Sequence, residues 1–447
     1  MYLSYLILLF TFHLTTSSIC TENDSFSSCE CEEISSNGQI SLVLKCTNLP
    51  RLNSHRHYRT IELDSCSEPI DFAQQSFNEI TLNILRIRHC QLLHLNERTF
   101  ANIQQLEKFY LENSTIESSQ GNFQEIFSAN SFQTLKSLSL RTIHLQEQKV
   151  NLEYLLEQLP RLNRLEISHV HLENASPSHD HYHRPIGQDL TYLSLTNTHQ
   201  TDLISIQSFP LLESLLIRHL PQVFHSQPLI RSLTNLKHLK YILFEHNQLK
   251  SIDDLRSDSI DDIDFSSNFI ESIPEYTFEH VPKLRQLTLT GNPLKSIDEN
   301  AFCGIEHLQR LSIHSKHRSI SPLDNCLLLH YPHLQIIQDS QTKFACNCQL
   351  HEVFQYKREQ TRAINRALKM NQVCLDETRT INLYELGQAL NCSSNMRCSR
   401  VCQGRKRMKS SSNVQLHSIE SKDSSAMNKQ FNLVYALFSL LLCSWYL

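Results

Sequence analysis

The stretch LRQLTLTGNPL, at residues 284–294, has a spacing of apolar side chains that recurs along most of the chain. The spacing is L-x-x-L-x-L-x-x-N-x-L, and successive copies begin 21 to 29 residues apart. The copies start at Tyr58, Leu82, Leu106, Leu135, Leu162, Leu190, Leu212, Leu239, Ile260, Leu284, Leu308 and Leu334. The sequence therefore predicts about 12 structural repeats.

Within each copy, L-x-L predicts a short strand whose two leucines share one face. A single repeat cannot bury these leucines alone, whereas a stack of repeats forms a continuous core. The asparagine of the pattern, as in Asn247, Asn268 and Asn292, is expected to satisfy backbone groups of the following turn. Four phenylalanines on the return segments are expected to pack as a second internal column: Phe77, Phe100, Phe278 and Phe302. The repeats from Leu135 to Leu239 lack this order, and we expect their convex side to be looped or helical.

A period near 24 with this pattern is that of the leucine-rich repeat. It predicts an α/β solenoid, a leucine-rich-repeat horseshoe with a parallel concave sheet. The net charge of −5 argues against nucleic-acid binding, and the 7 glycines argue against phosphate loops. We find no Ser/His/Asp order and no carboxylate pair tied to a strand or turn. The sequence therefore indicates neither an enzyme nor a cofactor.

Residues 1–18 resemble a signal peptide, with an apolar stretch followed by small residues. Secretion also fits four N-glycosylation acceptors, at Asn23, Asn113, Asn174 and Asn391. Histidines cluster near residues 169–183, at His169, His171, His179, His181 and His183. Close His and Asp residues can bind zinc or copper. An exposed convex loop is the interpretation we favour, and no metal site is predicted.

Fifteen cysteines predict disulfides in an oxidising compartment. Four precede the repeats: Cys20, Cys29, Cys31 and Cys46. Four follow them: Cys346, Cys348, Cys374 and Cys392. Cys303 and Cys326 form a candidate pair, as do Cys398 and Cys402. Cys66 and Cys90 occupy the asparagine position of adjacent repeats, where either a bridge or two buried free thiols are plausible.

The two cysteine clusters resemble the caps of extracellular leucine-rich-repeat proteins such as Slit, the Nogo receptor and Toll-like receptors. FACNCQL, at residues 344–350, is similar to their C-terminal capping motif, although Thr342 and Lys343 stand where the family has Asn-Pro. ISLVLKCTNLP, at residues 40–50, resembles the edge strand that closes the N-terminal cap. The resemblance implies four pairings: Cys346 with Cys374, Cys348 with Cys392, Cys20 with Cys31, and Cys29 with Cys46.

After the second cluster, residues 403–430 are polar, Ser-rich and basic near Arg405, which is typical of a disordered stalk. This stalk could contact sulphated glycans. Residues 431–447 are apolar and end the sequence, after small residues around Ser424. The arrangement favours a glycosylphosphatidylinositol signal attached near Ser424 or Ser421. The alternative is a transmembrane helix.

The exposed side of the concave sheet is predicted to bind a protein ligand. Its central column, the x of each L-x-L, reads Arg86, Tyr110, Ser139, Glu166, Ser194, Leu216, Leu243 and Asp264. An exposed apolar pair with an aromatic and charged rim is typical of a binding patch. The predicted patch consists of Tyr192, Leu216, Arg218, His219, Tyr241, Leu243, Glu245 and His246. Ordinary scatter of apolar residues, or an error of register, would also produce such a pair.

Together these features predict an N-terminal cap at 19–50, repeats at 51–344 and a C-terminal cap at 345–402. They favour a cell-surface receptor, co-receptor or adhesion protein held outside the plasma membrane by its C-terminal anchor. The alternative is a secreted or matrix structural protein that binds glycans through its stalk.

Overall fold

The computed structural model describes the chain from Cys20 to Cys402 with gaps. The residues it leaves out are 1–19, 21–27, 37, 55, 74–76, 78, 118–122, 146–147, 174–185, 199–205, 207–208, 221–229, 231–232, 253–254, 299, 314–322, 324–330, 332–333, 338–343, 352–372, 377–378, 383–384, 391, 393–401 and 403–447. The chain divides into two units, Met1–Val401 and Cys402–Leu447, and only Cys402 is described in the second.

A parallel ladder of strands forms the body of the first unit. Its members follow the chain in order, one at each predicted repeat start. They are β3 (His57–Asp64), β5 (Ile80–Arg88), β8 (Lys108–Glu117), β9 (Ser137–Leu145), β10 (Arg164–Ser168), β11 (Tyr192–Thr196), β12 (Ser214–Arg218), β13 (Tyr241–Glu245), β14 (Asp262–Asp264), β16 (Gln286–Thr288), β18 (Arg310–Ser312) and β19 (Gln335–Ile337). The predicted solenoid with a parallel sheet is confirmed.

The remaining elements lie at the ends or on the return segments. At the N-terminal end are β1 (Cys29–Ser36) and β2 (Gln39–Cys46), and toward the C-terminal end are β20 (Val373–Asp376), β21 (Arg379–Asn382) and α2 (Leu386–Ala389). Short return strands are β4 (Ile70–Asp71), β6 (Gln91–Leu93), β7 (Ile103–Gln104), β15 (Ser272–Ile273) and β17 (Ser296–Ile297). Helical returns are Phe123–Ser128, Asn130–Thr134 and Leu233–Asn235, all 3₁₀, and α1 (Leu152–Gln158).

Asparagines form a buried ladder where the pattern predicted them. The Asn268 amide nitrogen donates to the carbonyls of Phe244 and Phe265, at 2.6 and 2.9 Å. Its oxygen accepts from the backbone N–H groups of Asn247 and Leu249, at 3.0 and 3.1 Å. Asn292 makes the same kinds of bond one repeat later. Buried backbone groups of each turn are thereby satisfied by the next repeat.

The predicted phenylalanine column is also present. Phe77 and Phe100 stack with ring centroids 5.7 Å apart, and Phe278 and Phe302 stack at the same distance. All four are buried. Phe132, within a 3₁₀ helix, continues the first group against Phe100 at 5.7 Å. The irregular middle repeats instead bury leucines of α1, which confirms a partly helical return there.

At the N-terminal end, a hairpin closes the ladder. β1 pairs antiparallel with β2, and β2 pairs with β3. The prediction that residues 40–50 form the edge strand is wrong, because β1 covers β2 and is itself the outermost strand. The disulfides Cys20–Cys31 and Cys29–Cys46 have the pairing that the resemblance implies.

Two disulfides join the cysteines that follow the ladder. Cys346 is bonded to Cys374 and Cys348 to Cys392, again as the resemblance implies. Leu350 is fully buried next to these bonds in sequence, and its N–H donates to the Asn347 side chain at 2.8 Å. Cys303 and Cys402 are each disulfide-bonded as well. Their predicted partners, Cys326 and Cys398, lie outside the described residues.

A further disulfide joins Cys66 to Cys90, with Cα atoms 5.0 Å apart. It settles the question that the sequence left open between a bridge and free thiols. Both cysteines lie at the asparagine position of adjacent repeats. A covalent bond therefore links these two repeats at the position where asparagine side chains make hydrogen bonds later in the chain.

Candidate ligand-binding face

The outer face of the sheet is the side opposite the buried leucines. Strand register aligns its side chains in columns, and the central column runs Arg86, Tyr110, Ser139, Glu166, Ser194, Leu216, Leu243 and Asp264. The strand register therefore agrees with the predicted column. Core residues such as Leu215 and Ile217, on either side of Leu216, point the other way and are fully buried.

Leu216 and Leu243 are not exposed, and that part of the prediction is wrong. Only 7% of Leu216 and 6% of Leu243 is accessible. They lie side by side in register on the outer face, between the columns that contain Tyr241 and Glu245. Ser139 and Ser194, in the same column of earlier strands, are buried as well.

Two half-buried tyrosines flank this pair. Tyr192 and Tyr241 lie in one column, separated by Ser214 of the strand between them. Adjacent strands are about 4.8 Å apart, so the two tyrosine backbones are separated by roughly 10 Å over a small serine. The guanidinium of Arg164 lies 3.5 Å from the Tyr192 ring centroid. We call Tyr192, Ser214, Leu216, Tyr241 and Leu243 the tyrosine strip.

Carboxylates border the strip on its C-terminal side. Asp262 follows Tyr241 in register, and Asp264 follows Leu243. Burial, with added repulsion from Asp264 and Asp262, raises the pKa of Tyr241 to about 12. Burial raises the pKa of Asp262 as well, assisted by Asp261 and Asp264. Tyr241 therefore stays protonated and can act as a hydrogen-bond donor at every physiological pH.

The earlier strands of the outer face are dominated by ion pairs within the face itself. Arg88 pairs with Glu62 and with Asp64. Arg141 pairs with Glu166 at 2.6 Å and contacts Glu112 at 3.8 Å. Hydrogen bonding to Glu166 raises the pKa of Arg141. These charges have partners already, so a ligand gains less by contacting them.

A column of left-handed residues edges the outer face. In ten repeats, the residue before the asparagine position has φ between 45° and 75°: Ser65, His89, Asn113, Thr142, His169, Asn197, His219, His246, Ser267 and Gly291. Positive φ is uncommon outside glycine, and Asn and His are enriched among its exceptions. Sequence analysis did not predict this column, although the repeat fixes its position.

Two members of this column are in direct contact beside the tyrosine strip. The rings of His219 and His246 stack with centroids 4.6 Å apart and planes 9° apart. The preceding residues, Arg218 and Glu245, form an ion pair at 3.1 Å. The structure therefore brings together all eight residues of the predicted patch. It adds Asp262, Ser214 and Arg164, which could have been predicted from the same strand register.

Other predicted sites are placed only in part. Asn113 is exposed in β8, and its side-chain nitrogen lies 3.3 Å from the Nε2 of His89. Asn23, Asn174, Asn391, Ser421 and Ser424 lie outside the described residues, as do most of the clustered histidines. Among the residues that are described, no group of three or more His, Cys, Asp or Glu side chains is arranged to hold a metal ion. No helix within that part of the chain is long and apolar enough to span a membrane.

Comparison with known proteins agrees with this architecture. The family model described as leucine rich repeat matches residues 258–317. Leucine-rich repeat-containing protein 3 of Danio rerio is 31% identical over 113 residues, which are 25% of this chain and 41% of that protein. The chain thus spans less than half the length of this relative.

Two solved structures match part of the chain. The mouse RP105/MD-1 complex has a TM-score of 0.47 at 17% identity, covering 72% of this chain and 63% of the other. An internalin (inlF) from Listeria monocytogenes str. 4b F2365 has a TM-score of 0.42 at 16% identity, covering 67% and 86%.

The repeated strands, the asparagine ladder and the matched repeats define this chain as a leucine-rich-repeat solenoid protein. Disulfides near both ends of the ladder fit cysteine-rich caps.

Proposed function

We propose that this protein is a cell-surface receptor, co-receptor or adhesion protein that binds a protein ligand at the tyrosine strip. A single observation carries the proposal. On the outer face, the strip combines two half-buried tyrosines with a sheltered leucine pair, whereas the earlier strands present charges already paired with each other. Tyrosines and arginines beside apolar side chains are the usual composition of binding hot spots.

Several features support an extracellular location. The five disulfides with both partners described are typical of an oxidising compartment. The predicted signal peptide, stalk and lipid anchor agree with that location but lie outside the described residues. We place the protein on the outer side of the plasma membrane, with a glycosylphosphatidylinositol anchor favoured over a transmembrane helix.

The solenoid is proposed to act as a scaffold and not as an enzyme. Its described polar clusters are ion pairs and backbone caps, as in the Arg88 and Asn268 networks. A parallel ladder presents one long surface of aligned side chains, which suits recognition of another protein.

The proposal can be tested with tyrosine variants on one face. The purified protein is screened against an array of recombinant extracellular domains, and each hit is measured again with Tyr241→Ser. Loss of a hot-spot side chain costs about 2 kcal/mol, or roughly 30-fold in Kd. The matched control is Tyr110→Ser, because Tyr110 lies on the same face under Arg86, whose guanidinium is 5.0 Å from its ring centroid. Equal loss with both variants, or no binding protein at all, would refute the proposal.

A further inference from the structure

The stacked histidines lie beside the tyrosine strip, where their charge would act on a bound partner. His219 and His246 directly follow Arg218 and Glu245, the ion pair in the column next to Leu216 and Leu243. Both imidazoles are exposed to solvent at the edge of the outer face. Their stacking at 4.6 Å is compatible with two neutral rings, whereas two protonated rings at that distance repel each other.

The charged groups around the pair come from three repeats of the ladder. Arg218 is the last residue of β12, directly before His219, and Glu245 is the last residue of β13, directly before His246. His169 contributes from the opposite side, beyond Asn197. Burial lowers the pKa of His219, and His246, His169 and Arg218 lower it further, while Glu245 opposes them. The position that faces His246 from the following repeat is Ser267, which does not titrate.

Protonation of His246 would act on one specific group, the carboxylate of Glu245. The Nε2 atom of His246 is 3.7 Å from one carboxylate oxygen of Glu245, while the other oxygen binds Arg218 at 3.1 Å. An imidazolium at His246 therefore competes with Arg218 for the same carboxylate. The competition adds a positive charge to the edge of the strip and loosens the ion pair that borders Leu216 and Leu243.

We propose that protonation of the His219–His246 pair weakens partner binding at the tyrosine strip, so that a complex formed at neutral pH dissociates in an acidified compartment. The inference rests on the proposed function and names the regulation of the same site. The direction follows from the geometry, because protonation opposes the ring stack and draws Glu245 away from Arg218, which disturbs the edge of the surface that the partner contacts. Because the pKa of His219 is lowered, the stacked arrangement is lost as the pH falls below about 6.5.

The chain itself supplies the best substitution. Asn113 and Asn197 occupy the same left-handed column, with φ of 45° and 50°. Asparagine at positions 219 and 246 therefore keeps the backbone and removes the titration. His89→Asn is the matched control, because His89 has the same backbone but binds Asp64, at 2.9 Å, away from the strip.

The experiment uses the extracellular domains on the array that bind this protein at about pH 7.4. The affinity of each is then measured again at about pH 5.5. We expect about tenfold weaker binding at the acidic pH for the wild type and for His89→Asn. The His219→Asn/His246→Asn double variant should change less than about twofold. An equal acid loss in the double variant, or none in the wild type, would overturn the inference while leaving the proposed function intact.

A second measurement needs no partner. The titration of the His219 ring is followed by nuclear magnetic resonance in the wild type and in His246→Asn. Replacing His246 should raise the pH midpoint of the His219 titration, because the His246 ring opposes protonation of His219. An unchanged midpoint would overturn the coupling. Absence of any binding protein at about pH 7.4 would instead overturn the proposed function, and the pH-controlled release with it.

Discussion

Replacing Asn268 with alanine tests whether the asparagine ladder stabilises the solenoid. Asn268 is buried, and its side chain bonds backbone groups of its own turn and of the preceding repeat. Alanine would leave the N–H groups of Asn247 and Leu249 without this acceptor. A buried donor without a partner costs about 1–3 kcal/mol. Two such donors predict a loss of about 4 kcal/mol in the free energy of unfolding.

Within the same ladder, Asn292 provides a graded comparison. Its oxygen accepts one backbone N–H, that of Ile270, at 3.0 Å. Asn292→Ala should therefore cost about 2 kcal/mol, half as much as Asn268→Ala. Exposed Asn163, which lies at the start of a repeat, serves as the control, and Asn163→Ala should change stability by less than about 0.5 kcal/mol.

The assay is urea unfolding followed by circular dichroism, with disulfides intact. If Asn268→Ala cost less than about 1 kcal/mol, or no more than Asn163→Ala, backbone pairing by these amides would not be a stabilising feature. A loss in Asn292→Ala that exceeded the loss in Asn268→Ala would contradict the counting of N–H groups.

Three further outcomes are expected. Cys348→Ser should reduce secretion and lower stability by about 2–5 kcal/mol, because it opens the C-terminal cap; unchanged secretion and melting would contradict the cap. Leu243→Glu should lower the melting temperature, with a cost of about 2–3 kcal/mol for a carboxylate sheltered beside Asp264, whereas Leu243→Met should cost less than about 1.5 kcal/mol; equal melting would show that the site is open. Phosphatidylinositol-specific phospholipase C should release the protein from intact cells without residues 431–447, and retention with Trp445 detected in the mature chain would indicate a transmembrane helix instead.

Much of the fold was predictable because the repeat constrains it locally. Each L-x-L specifies both a strand and the face it buries, so the register of Leu216 with Leu243 could be written down from spacing alone. The asparagine bonds follow for the same reason, since a fixed offset places Asn268 over the turn before it. Such regularities depend on neighbours within one period.

The candidate site was less predictable because burial depends on side chains several tens of residues away. Leu216 has an outward position in its strand, yet it is buried. The Cys66–Cys90 bond depended on a distance that spacing alone does not determine. The stacking of His219 on His246 was within reach, because both directly precede the asparagine position of consecutive repeats.

The Cys66–Cys90 bond has a mechanical consequence. It closes a loop of sequence separation 24, which corresponds to about 80 Å of extended chain that tension cannot draw out. Cys29–Cys46 closes another loop of separation 17 just before it. Under a pulling force, only the segment at residues 47–65 can lengthen between these two loops. Chain inside these two loops therefore cannot be drawn out, and a load applied along the chain falls on residues 47–65 and on the repeats between Cys90 and Cys303, which contain no cysteine.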